Sequence, residues 1–173
     1  MPRLIPLVFL LAASLAAQTS PYAGSENRPI KALSESQQKE LRAGAGMGLA
    51  LAAELNGFPG PKHVLELSEK LALSPSQRAE VQRIFDRMGN DARLIGEKII
   101  AAEKELDRAF GSAIDEKSLR DLTSRIAALQ GELRYTHLQA HLTTTALLSR
   151  HQRHLYASLR GYESGGSHSQ HDH

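Results

Sequence analysis

The sequence lacks residues on which several classes of protein depend. Its 173 residues include no cysteine and no tryptophan, and only 5% of them are aromatic. The absence of cysteine excludes disulfide scaffolds, thiolate zinc sites and cysteine nucleophiles. The few aromatic residues, together with abundant Ala, Leu, Glu, Arg and Gln, favour helices over a β-sandwich. A formal net charge of +2 is too small to indicate nucleic-acid binding, which depends mainly on contacts to phosphates.

The sequence also lacks the common catalytic motifs. It has no HExxH, no GxSxG, no P-loop and no glycine-rich dinucleotide turn. The serines are explained as helix caps or loop residues, and the carboxylates as partners on helical faces. We therefore predict that the protein is not an enzyme.

The N-terminus is typical of an export signal. Arg3 precedes an apolar run over residues 4–17, which ends in small residues suited to signal-peptidase cleavage. The run is shorter than the ~20 residues that a membrane-spanning helix needs. We therefore predict a signal peptide over residues 1–17 and no membrane span after cleavage, the alternative being an uncleaved anchor. Residues 18–33 are polar with two prolines and are predicted to be a flexible leader.

Helix-start signals divide the rest of the chain. Capping boxes begin at Ser34, Ser74 and Ser149, each with a glutamine three residues later, and Asp115 is suited to cap a further helix. We predict a first helix over residues 34–55, a turn over 56–61, a short second helix ending near 73, and two long helices beyond it. Residues 163–173 have no apolar side chain and are predicted to be a disordered, histidine-rich tail.

The two long helices carry apolar residues at helical spacing. All seven prolines lie within the first 75 residues, so no proline interrupts these helices. Two such helices joined by a short loop should fold back on each other. We therefore predict an all-α domain over residues 34–162, with a long antiparallel helical hairpin preceded by short helices. The apolar positions are Val81, Ile84, Met88, Ile95, Ile99, Ala102, Leu106 and Ala109, followed by Leu119, Leu122, Ile126, Leu129, Leu133, Thr136, Ala140 and Leu147.

Two short motifs carry a resemblance to a known family. The sequence LSPSQ at residues 73–77 recurs 75 residues later as LSRHQ at residues 148–152. Both are similar to the LTxxQ signature of the periplasmic Spy/CpxP superfamily, with serine in place of threonine. The resemblance covers roughly residues 35–162. It implies a periplasmic, Spy/CpxP-like helical protein, a homodimer, with relatives among refolding chaperones, zinc-resistance-associated proteins and heavy-metal sensors.

Histidines supply the candidate metal ligands. His137 and His141 are four residues apart, so both imidazoles lie on one face of a helix and can reach one ion. The alternative is that both merely flank the apolar positions. The resemblance raises the case for metal, because sensors of this superfamily use a histidine and a ligand four residues on in this region. It also implies ligands from the first two helices, for which His63 and Glu66 are the candidates, unless they only contact each other.

The predicted ion is a divalent transition metal, Zn, Ni, Co or Cu, since imidazole and carboxylate ligands suit all four. His168, His171 and His173 in the tail are predicted to bind metal weakly. His151 and His154 are expected only to interact, as cations, with the dipole at the end of their helix.

These observations predict a periplasmic heavy-metal-binding sensor or resistance protein. The first alternative is an ATP-independent refolding chaperone, whose basic surface for unfolded clients would be formed by Arg83, Arg87, Arg93, Arg125 and Arg134. The second alternative is a metal-free helical adaptor that binds an envelope sensor protein.

Overall fold

The computed structural model describes residues 19–162, and these residues form α-helices and one short 3-10 helix, with no strand. The all-α prediction is therefore confirmed. No helix in this part of the chain is long and apolar enough to cross a membrane. The predicted signal peptide and histidine-rich tail lie outside the described residues. The helices are α1 (Glu35–Ala43), α2 (Leu51–Glu54), α3 (Pro61–Glu66), α4 (Pro75–Gly111), α5 (Glu116–Leu147) and α6 (Arg150–Leu159), and the 3-10 helix is Ser25–Asn27.

Helices α1, α4, α5 and α6 begin at the caps that the sequence predicts. Ser34, Ser74 and Ser149 each accept a hydrogen bond from the backbone of the glutamine three residues on, and each glutamine side chain bonds back to the serine N–H. Asp115 caps α5 by accepting from the Ser118 N–H at 2.7 Å. Each cap satisfies backbone donors that a helix start leaves free.

Helices α4 and α5 contact each other along their length. Arg125 of α5 pairs with Glu105 of α4 near the connecting loop. At the other end, Gln77 near the start of α4 donates to the carbonyl of Leu147 at 2.8 Å. Residue numbers along the contact therefore rise on one helix as they fall on the other. Every apolar position predicted to face a neighbouring helix is buried or half-buried, which confirms that pattern.

The two LSxxQ motifs meet in space. The Gln77 amide donates to the Gln152 side-chain oxygen at 3.0 Å, and the Gln152 amide donates to the carbonyl of Leu71 at 3.2 Å. Around them lies an apolar cluster of Val64, Leu71, Val81, Leu148 and Tyr156. The glutamines thus join the starts of α4 and α6 as well as capping them.

A second apolar cluster fixes α1 against α4 and α5. An added Cβ on Gly96 of α4 would lie 2.3 Å from the carbonyl oxygen of Leu41 in α1. Only glycine therefore permits this approach of the two helices. Ile30, within the segment predicted to be a flexible leader, is also buried in this cluster. The cluster contains Ile30, Leu41, Ala92, Ile95, Ile99, Ile100 and Leu133.

The prediction of one helix over residues 34–55 is wrong. Helix α1 ends at Ala43 because Gly44 adopts a left-handed conformation, with φ of 64°, and closes the helix. Gly48 also has a positive φ, and the helix that follows it, α2, is only four residues long.

The helix predicted to follow the turn over residues 56–61 is α3, and it is shorter than predicted. It ends at Glu66, and residues 67–73 turn back so that Leu71 is buried, with 1% of its surface exposed. Burial of Leu71 takes precedence here over the local preference for helix.

Candidate functional site

His137 lies on the buried face of α5. Only 3% of its surface is exposed, and its Nε2 atom has no hydrogen-bond partner among the described residues. Burial lowers the pKa of His137, and the nearby charge of His141 lowers it further. The imidazole is therefore neutral near pH 7, the form that binds a metal ion.

Thr144, seven residues further along the same face, has a second unpaired polar atom. Its side chain is fully buried, and its hydroxyl has no partner within residues 19–162. The neighbouring Thr143 and Thr145 hydroxyls, by contrast, donate to the carbonyls of Gln139 and His141. Buried polar groups without a protein partner are uncommon, and a buried water or an ion commonly satisfies them. His137 and Thr144 place two such atoms on one face.

His141 lies between these two residues and is held by the turn that follows α2. Its Nδ1 is 2.7 Å from the Phe58 carbonyl oxygen, and its ring packs against Gly60. A carbonyl oxygen only accepts, so Nδ1 of His141 donates in this contact. Metal-ligating histidines are oriented in this way, with the remote nitrogen bonded to a backbone carbonyl or a carboxylate.

Glu54 is a buried carboxylate beside His141. Its surface is 7% exposed, and Oε2 lies 3.7 Å from His141 Nδ1 and 3.2 Å from the backbone nitrogen of Gly60, which donates to it. The hydroxyls of Tyr156 and Tyr162 donate to Oε1 at 2.6 and 2.9 Å. Burial and the bond to Glu54 raise the pKa of Tyr156.

Arg160 adds a positive charge beside Glu54, with its Nε atom 3.6 Å from Glu54 Oε1.

Sequence reasoning missed Glu54 altogether. Its tyrosine partners follow it by 102 and 108 residues, and no local pattern marks such a pairing.

His63 and Glu66 form a separate pair on α3. His63 Nδ1 is 2.7 Å from Glu66 Oε2, and this hydrogen bond lowers the pKa of the carboxyl group. About half of the Glu66 side chain is exposed. Within residues 19–162, no group of three or more histidine, aspartate or glutamate side chains is arranged to hold a metal ion. The structure therefore does not assemble His63 and Glu66 with His137 and His141 into one site, and the tail histidines lie outside the described residues.

No protein-family model matches the chain, and comparisons with curated proteins and with solved structures find no match either.

Proposed function

We propose that the protein is an exported heavy-metal-binding sensor or resistance protein, not an enzyme, with a Spy/CpxP-like helical hairpin formed by α4 and α5. In this proposal His137 and His141 bind a divalent transition metal through their Nε2 atoms. The observation that supports it most is the buried, unpaired Nε2 of a neutral His137, four residues from a histidine whose Nδ1 is held by a backbone carbonyl.

Glu54 supports a route by which metal binding would be sensed. It contacts the turn that holds His141 and also accepts from Tyr156 and Tyr162 at the C-terminal end of the described chain. A small movement of His141 would disturb the Phe58 and Glu54 contacts together. We propose that this movement changes how α6 packs, and that an envelope protein recognises the change.

Calorimetry with Zn²⁺, Ni²⁺, Co²⁺ and Cu²⁺ tests the metal proposal. The starting protein should carry glutamine at tail positions 168, 171 and 173, so that tail binding does not contribute. We expect binding in the micromolar range or tighter, lost on His137→Gln or His141→Gln. The exposed histidines of α6 supply the control, because His151→Gln should leave affinity unchanged. Absence of binding tighter than millimolar would reject the proposal.

The remaining ligands are tested separately. If His63 and Glu66 complete the site, α3 must move, and His63→Ala should weaken binding at least as much as Glu66→Gln. If they only contact each other, both variants should bind metal as the parent does, and the site would consist of His137, His141 and solvent.

A chaperone is the second candidate, and an apolar groove favours it. The groove has a volume of about 480 Å³ and lies between α1, the segment before α2, α4 and α5, with Leu33, Leu41, Met47, Ile99 and Leu133 among its lining residues. Met47 is 42% exposed. Suppression of client aggregation by metal-free protein would support this function, and no suppression at equimolar protein would reject it.

The predicted basic surface contributes less to the chaperone case. Arg83, Arg87 and Arg125 each pair with a carboxylate of the chain. An exposed ion pair is worth at most ~1 kcal/mol, so a client could displace it. These three arginines are nevertheless already paired and would have to exchange partners to bind a client.

A homodimer belongs to the same proposal. Tyr135 and Leu142, two turns apart on α5, are 60% and 58% exposed, and a second copy would cover them. Light scattering of the secreted form tests this. A monomer at all concentrations would reject it.

A further inference from the structure

Two segments near the α6 end of the molecule contain basic residues but no acidic ones. Residues 55–65 and 148–162 contain no aspartate or glutamate, although Glu54, Glu66 and Glu163 adjoin them. Their basic residues are Lys62, Arg150, Arg153 and Arg160, of which Arg160 pairs with Glu54. Elsewhere the chain has 19 acidic residues, and many of its exposed basic residues pair with them. The small net charge of the whole chain therefore hides a local positive surface.

The fold brings these two segments together. Gly57, in the turn between α2 and α3, lines a shallow groove of about 370 Å³ with Arg150, Arg153 and His154 of α6. All three basic side chains belong to exposed residues. Among the described residues, neither arginine has a carboxylate oxygen within 4 Å.

Two large, exposed apolar residues are sequence neighbours of Gly57, which lines the groove. Leu55 and Phe58 flank Gly57 closely in the chain, and they are 63% and 37% exposed. The turn is tight, since Gly57 has φ of 81°. Leu55, Phe58, Arg150, Arg153 and His154 together are called the basic–apolar patch below.

We propose that the basic–apolar patch binds the surface of an anionic phospholipid bilayer. The guanidinium groups of Arg150 and Arg153 would bind lipid phosphates, which they match in geometry. Leu55 and Phe58 would enter the interfacial layer, where apolar side chains next to basic ones bind peripherally. A bilayer accepts isolated apolar side chains anywhere on its surface, whereas a protein partner must offer a pocket to each. This favours lipid as the anionic partner.

Vesicle sedimentation tests the patch in the full-length protein with EDTA present, so that metal bound at His137 and His141 plays no part. The vesicles contain phosphatidylglycerol and phosphatidylcholine in equal parts, or phosphatidylcholine alone. We expect binding to the anionic vesicles only, weakened by salt. Because each basic residue near such a surface is worth ~1 kcal/mol, R150Q with R153Q should reduce binding about 30-fold.

A charge-matched control lies at the opposite end of α5, a helix about 48 Å long. K117Q with R120Q removes two positive charges there and should change binding less than about twofold. Unchanged helical content by circular dichroism would show that each variant is folded.

A spectroscopic variant tests the apolar half independently. The chain has no tryptophan, so F58W introduces a single reporter at an exposed position. Its emission should shift to shorter wavelength with anionic vesicles and stay constant with phosphatidylcholine, and L55S should weaken vesicle binding about tenfold.

Several outcomes would overturn the proposal. These are no binding to anionic vesicles, equal loss in the K117Q/R120Q control, or no change in tryptophan emission on binding. Binding of soluble polyglutamate but not of vesicles would identify an acidic protein as the partner instead. Binding of inorganic phosphate with no vesicle binding would reduce the patch to a simple anion site. None of these results bears on metal binding, which is measured without vesicles.

Discussion

At the loop end of the α4–α5 pair, residues 111–121, polar contacts join residues three or four positions apart, as in Asp115 with Ser118 and Lys117 with Asp121. At the motif end, around the two LSxxQ motifs, the capping bonds are accompanied by contacts between residues 70 to 108 positions apart, such as Gln77 with Leu147 and with Gln152. The loop-end contacts are exposed, and several of the motif-end contacts are buried. Within residues 111–121 the polar contacts are therefore local, and longer-range pairs such as Lys31–Asp107 and Arg125–Glu105 lie only beyond that segment. The motif end, by contrast, is joined by distant parts of the chain.

Tyr156→Ala should have the largest effect, because Tyr156 is 2% exposed and donates to buried Glu54. Removing a buried aromatic side chain costs about 3–5 kcal/mol. Denaturant unfolding followed by circular dichroism measures this loss. The control is Phe110→Ala, since Phe110 is 61% exposed near the end of α4 and should change stability by less than about 0.5 kcal/mol. Equal losses would contradict the difference in burial.

Gln152→Ala should come next. It leaves the carbonyl of Leu71 and the N–H of Ser149 without their side-chain partner, at a cost of about 1–3 kcal/mol. A double-mutant cycle with Gln77→Ala should show non-additive losses, because the two amides bond to each other. Additive losses would mean that each glutamine acts only as a cap. The exposed Gln130→Ala serves as the control.

Asp115→Ala at the loop end should have a smaller effect, because it removes one exposed cap. The bond from Ser118 holds the pKa of Asp115 below its ordinary value. The cap therefore stabilises the fold fully above that ordinary value and loses its contribution as pH falls through the lowered one. Asp115→Asn keeps a capping oxygen that does not titrate. Plots of the free energy of unfolding against pH, from about pH 6 to pH 2, should thus be flatter for the Asn variant than for the parent. Parallel plots would contradict the role assigned to the carboxylate.

Lys117→Ala should have the smallest effect. Its ion pair with Asp121 is exposed, with 86% and 63% of the two side chains accessible. Such pairs on helices contribute about 0.3–0.5 kcal/mol. Thermal unfolding at low and high salt should show a difference that disappears as salt rises. A loss comparable to that of Gln152→Ala would abolish the distinction between the two ends.

The local contacts could be predicted from the sequence, and the long-range contacts could not. The caps at Ser34, Ser74, Asp115 and Ser149 were predictable because each depends on residues three positions away. The contact between Gln77 and Gln152 was not, because either glutamine satisfies the capping pattern alone.

The failures have the same origin. Gly44 ends α1 through a left-handed conformation that competes with an otherwise helical pattern, and Leu71 leaves the helical path to enter the core. In the candidate site, the four-residue spacing placed His137 and His141 on one face. The turn that orients His141 and the buried Glu54 required the folded chain, because Phe58 lies 83 residues from His141.

The bonds from Tyr156 and Tyr162 to Glu54 also determine when the chain can finish folding. Residues 156–162 supply the two hydroxyls that satisfy this carboxylate, so its burial requires them to be in place. A chain shortened before residue 156 would have to leave that region open to water.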